Sequence, residues 1–175
     1  MFRPILFRPI LLLISAGAAF HCRAGETYQP LFVVERNINA NVVHYDAKID
    51  EDGRLDSRQP VIAYWIMAAK DGRRQELNFL EKSKAYGIIV EPSQTGGSYR
   101  IVLVSQKNRQ IEVYRDGDTV RAETTIGGHR AYLKKIYVAV RKGSLFSTPS
   151  YVELMGTDIA TGEMLQETIV PGRSL

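Results

Sequence analysis

Apolar residues recur along this chain in short stretches broken by turn residues about every ten positions, the rhythm of an antiparallel β protein. In residues 41–50, Val43, Tyr45, Ala47 and Ile49 fall on one side, and Val42, His44, Asp46, Lys48 and Asp50 on the other. A period of two with one wet face predicts an antiparallel strand. Residues 61–69 are apolar on both sides, Ala63, Trp65 and Met67 against Ile62, Tyr64 and Ile66, which predicts a central strand covered twice. Further strands are expected at 99–105, 109–115, 119–126, 131–141, 151–159 and 163–170, with Asp116-Gly117 and Thr161-Gly162 as hairpin turns.

One helix interrupts this pattern. Asn78 can cap the first turn while Glu81 reaches back to the cap, and Gly87 can end the helix in the left-handed conformation. Phe79, Leu80 and Tyr86 give it an apolar side, and a helix this short must pack on the sheet to persist. It is the expected cover for the second face of the central strand. The fold class is therefore all-β: an antiparallel β-barrel or sandwich of nine to ten strands, with one short helix after the third strand.

The front of the chain reads differently. Arg3 and Arg8, an apolar run over 10–20, and small residues at Cys22 and Ala24 make residues 1–24 a signal peptide cut after Ala24. The run is shorter than the roughly 20 residues a bilayer span takes, so no membrane span is expected after cleavage. Residues 25–175 form a single all-β domain, periplasmic or secreted. The precursor's formal charge of +4 includes Arg3, Arg8 and Arg23; without them 20 basic residues face 19 acidic ones, a balance that speaks against nucleic acid as a partner. The one cysteine, Cys22, leaves with the signal, so stability must come from a core rather than disulfides.

Familiar catalytic patterns are missing. His44 and His129 have no second His or Cys at ligand spacing, so no metal is expected, and no cofactor motif is present. There is no G-x-S-x-G elbow, and Gly96-Gly97 and Gly127-Gly128 suit turns better than phosphate cradles. The acidic run 50–56 resembles a calcium loop, but Val61 stands at its twelfth position, which favours a solvated turn. No group of residues names a catalytic mechanism, which leaves enzyme activity open and ranks it behind binding.

Aromatic and charged residues concentrate around 32–37 and 64–67. Arg36, Tyr64, Trp65, Glu81 and Tyr86 are the candidate ligand-binding residues, able to line a pocket with apolar walls and one charged group for a small amphipathic ligand. The same residues would serve equally as a satisfied core network.

Leu31-Phe32-Val33-Val34-Glu35-Arg36-Asn37, Asn41-Val42-Val43 with Tyr45, Pro60-Val61, Tyr64-Trp65-Ile66-Met67, Leu77, Glu81 and Ala85-Tyr86-Gly87-Ile88 together resemble the domain of unknown function 4833 family. The resemblance covers nearly all of the chain after residue 24 and implies a secreted or envelope protein with no established activity. Three readings follow. The first is a small-ligand binding module; the second is an envelope structural or protein-interaction domain that offers a strand edge to a partner envelope protein. The third is an unrecognised hydrolase, which would need acidic groups converging in a cleft.

Overall fold

A computed structural model describes residues 26–94, 96–141 and 149–170; the expected signal peptide, with Cys22 and the cut after Ala24, lies outside them. Alternation drives the chain into β1 (Thr27–Arg36), β2 (Asn39–Ile49) and β3 (Val61–Met67), followed by β4 (Arg73–Glu76) and α1 (Phe79–Glu81). Then come β5 (Ile88–Pro92), β6 (Tyr99–Leu103), β7 (Gln110–Asp116), β8 (Thr119–Ile126), β9 (His129–Val140), β10 (Pro149–Asp158) and β11 (Met164–Ile169). Hydrophobic patterning misses β4, whose four residues are all exposed, and β5, exposed from Ile89 to Pro92.

All eleven strands belong to one mixed sheet curled into a half-barrel, in the order β4-β3-β2-β1-β9-β8-β7-β6-β5, with β10 and β11 continuing from β9. Two antiparallel meanders, β1–β4 and β5–β9, are joined by a parallel pairing of β1 with β9, from Val33 opposite Lys135 to Arg36 opposite Val138. β9 is long enough to serve three neighbours. Its residues 129–132 pair with β8, residues 135–138 pair with β1, and β10 runs along the opposite edge. The side chain of Gln29 stitches β1 to β8 where the two separate, donating to the Asp118 carbonyl at 3.0 Å and accepting from the Val120 amide at 2.8 Å.

The concave face holds the core. Val43, Tyr45, Ala47 and Ile49 of β2 are all buried, and they join Ile101, Ile111, Val113, Leu133, Ile136 and Leu154 from the other meander and β10. Phe32 stacks on Tyr45 with ring centres 4.5 Å apart. Gly117 supplies the positive φ of the β7–β8 turn, at +60°.

The helix departs from expectation in two ways. Its capping box forms: the Asn78 side chain accepts from the Glu81 amide at 2.9 Å, and Glu81 accepts from the Asn78 amide at 2.8 Å. Yet Phe79 and Leu80 are 80% and 66% exposed and cover nothing; only Tyr86, at the end of the π-helical turn Lys82–Tyr86, is buried. Gly87 ends the segment in an extended conformation, φ −63°, rather than the left-handed one. A glycine is needed there because a Cβ would lie 1.8 Å from the Lys82 carbonyl oxygen. The second face of β3 is instead covered by Arg74, whose guanidinium stacks 3.9 Å from the centre of the Tyr64 ring. No helix among the described residues is long and apolar enough to cross a membrane.

Candidate functional site

The structure gathers three of the five candidate residues and separates one. Arg36, at the end of β1, lies over both aromatic rings of the cluster, 5.0 Å from the centre of Trp65 and 5.4 Å from Tyr86. Trp65 and Tyr86 meet edge to face at 5.1 Å. Burial pushes the Tyr86 hydroxyl above its ordinary pKa, while Arg36 pulls it back. Glu81 is engaged in the helix cap. Tyr64 sits on the opposite face of β3, as alternation requires, where its hydroxyl donates to Asp46 at 2.6 Å. Its pKa is pushed up to about 12, by desolvation first and by Asp46 second. Trp65 and Tyr86 are both buried, so this end of the half-barrel is packed shut by its own side chains.

Open space lies elsewhere. A seam cleft of about 380 Å³ opens where β4 parts from β3: the pairing stops at Tyr64 opposite Glu76, and residues 61–63 face Gly87 and Ile88 across the gap. A fork cleft of about 250 Å³ opens where β8 and β1 diverge along β9, between residues 29–31, 119–122 and 132–134. The largest, about 890 Å³, lies between the 50–57 loop, the turn at 96–99 and outward residues of β7, β8 and β9.

Each wall of the large cleft has a local cause. The acidic loop is built by its own carboxylates: Asp50 accepts from the amides of Asp52 at 3.0 Å and Arg54 at 2.9 Å. Asp56 accepts from the amides of Arg58 at 2.9 Å and Gln59 at 2.8 Å, and these contacts hold its carboxyl below the ordinary aspartate range. Arg115 ties that loop to the β7–β8 hairpin by donating to the carbonyls of Gly53 and Gly117.

The floor comes from the outward positions of β7, β8 and β9, because Val113, Ala122 and Leu133 face the core. Glu112 and Glu123 stand opposite each other across β7 and β8. Glu123, with its side chain only 12% exposed, accepts from Arg130 at 2.6 Å and from the Tyr114 hydroxyl at 2.9 Å. Glu112 accepts from the Ser98 hydroxyl at 3.0 Å. Desolvation, then hydrogen bonding to Glu123, raises the Tyr114 pKa and keeps that hydroxyl a donor.

Three arginines, Arg54, Arg115 and Arg130, thus face three carboxylates, Asp50, Glu112 and Glu123, around one cleft. Among the described residues Arg54 makes no ion pair. Sequence reasoning passed over these floor residues, because outward Glu, Tyr and Arg on a strand look like any solvated face. Their register was the missing signal, since Glu112, Glu123 and Tyr132 meet only once β7, β8 and β9 are paired.

No curated protein and no solved structure matches this chain. Residues 32–168 match the model of the domain of unknown function DUF4833, and the chain belongs to that family.

Proposed function

We propose that this protein is an exported binding module that holds a hydroxyl-rich ligand, a saccharide, in the large cleft. The observation that carries the reading is the pairing of size with chemistry. About 890 Å³ is ample for a small-molecule site, and its floor offers carboxylates that only accept beside guanidinium groups that only donate. A polyol both donates and accepts, so each hydroxyl finds a partner; a simple anion would meet Glu112 and Glu123, and a simple cation would meet the arginines. The Arg36, Trp65 and Tyr86 cluster then serves as a packed end of the core, and the ligand site lies on the other side of the sheet.

The test is native mass spectrometry of the exported protein, followed by titration with a panel of neutral oligosaccharides. Saccharide binding that weakens at least about tenfold in Glu123→Gln, with the melting temperature retained, supports the reading. No binding to any saccharide at millimolar concentration removes it. Analysing the same incubations for cleavage products decides whether Glu112 and Glu123 hydrolyse what they hold.

A second reading has its own observation. Among the described residues β5 pairs only with β6, leaving one edge unpaired beside the exposed Ile89 and Val90, an arrangement that suits addition of a partner's strand. Retention of an envelope protein that is lost on Val90→Pro favours that reading.

A further inference from the structure

The large cleft and the fork cleft share one floor. β8 presents Glu123 to the first and Arg121 to the second, two residues apart on the same face and so about 7 Å from each other along the strand. Tyr132 joins them: it stands opposite Glu123 in the β8–β9 register, carries the Arg121 guanidinium 4.9 Å from its ring centre, and lies near enough to Tyr114 to raise its pKa. A continuous polar strip, Arg121, Tyr132, Tyr114, Glu123 and Arg130, therefore runs from one cleft into the other.

The two ends differ in charge. Basic and acidic residues balance around the large cleft, whereas the fork cleft is lined by Arg121 and Lys134 with no carboxylate. Lys134 is exposed and forms no ion pair among the described residues. The Nε of Arg121 is buried without a hydrogen bond and is ion-paired at 3.6 Å with Asp116, which lies outside the lining of the fork cleft. A guanidinium has five N–H donors, so Arg121 can offer others to an incoming oxyanion beside that ion pair.

Resting on the saccharide reading, we infer that the ligand is an acidic oligosaccharide of at least two sugar units. One unit occupies the large cleft, and the acid group of its neighbour is received in the fork cleft by Lys134 and Arg121. The roughly 7 Å between the two floor positions suits adjacent rings of one chain better than two separate small molecules. An extended acidic peptide fits less well, because on the stretch of β8 left unpaired toward β9 at the fork, residues 119–122, the Val120 amide already donates to Gln29.

Calorimetric titration with neutral, uronate-bearing and sulfated oligosaccharides of equal length tests this. The expected result is at least tenfold tighter binding of an acidic chain than the neutral one, with a preference that shrinks as salt rises. Lys134→Glu, at an exposed position, should abolish the preference, with the melting temperature retained. Comparing the uronate and sulfate arms identifies which acid group the subsite takes. Equal affinity for neutral and acidic chains, or a preference that survives Lys134→Glu, overturns the inference while the saccharide reading stands. Failure of every chain to bind overturns both.

Discussion

The hydroxyl of Tyr45 is the most demanding polar contact in the core, and replacing Tyr45 with Phe isolates it. The ring is fully buried and stacked on Phe32, and neither feature needs the oxygen. The hydroxyl donates to the Tyr86 carbonyl at 2.8 Å, pinning the π-helical turn to the sheet beside Trp65. Desolvation raises its pKa far above the ordinary tyrosine value, so it remains a donor throughout the working pH range. In Tyr45→Phe the donor is gone and the carbonyl loses this partner in a place water does not reach. Leaving a buried acceptor unpaired costs about 1–3 kcal/mol. At about 2–4 °C per kcal/mol for a domain of this size, the melting temperature should fall by about 2–12 °C. Urea denaturation followed by tryptophan fluorescence reads the right place, since Trp65 is the sole tryptophan. Tyr114→Phe is the control: its hydroxyl meets Glu123 at the floor of an open cleft, where water can substitute, and its loss should be the smaller of the two. A Tyr45→Phe protein within about 0.5 kcal/mol of the parent would refute the reasoning.

Two further outcomes follow from the same geometry. Tyr45, Tyr64, Tyr86 and Tyr114 all have folded pKa values raised above 10, so their share of stability is complete below pH 10 and is lost as pH rises through the folded values, about 12 for Tyr64. Phenolate absorbance during alkaline titration should show these tyrosines ionising together with unfolding; ionisation of all nine near pH 10 in the folded protein would contradict it. Replacing both Phe79 and Leu80 with Ser should change stability by less than about 0.5 kcal/mol by thermal melting, because neither side chain covers the core.

Period two in residues 41–50 located β2 and its dry face correctly, because a half-buried strand prints its environment directly on the sequence. The Asp116-Gly117 turn was equally legible, since positive φ demands a particular residue. What could not be read were arrangements set by distant pairing. The parallel junction of β1 with β9 joins residues about a hundred positions apart and leaves no local mark. Phe79 and Leu80 have the spacing of a covering helix face and yet are exposed; apolar character states only what a side chain tolerates, and here Arg74 takes the covering role. The aromatic cluster was found for a sound reason and proved to be closed. Arg36, Trp65 and Tyr86 do meet, but they fill the space between them.

That closure bears on where a ligand can go. Among the described residues the concave side is occupied by Tyr45, Ile111, Leu133 and Leu154, and the clefts lie at the seam, at the fork and on the outward face. On most outward faces polar side chains are simply solvated, and strain among them is relieved by water. Around β8 it is not. Glu112 and Glu123 stand directly across two strands, an arrangement of like charges that opposes pairing. Arg130 relieves Glu123 on one side, Ser98 relieves Glu112 on the other, and Asp116 pairs with Arg121 Nε at 3.6 Å. A ligand that donates hydroxyls to these carboxylates would lower that repulsion, and its binding should raise the melting temperature of the whole domain.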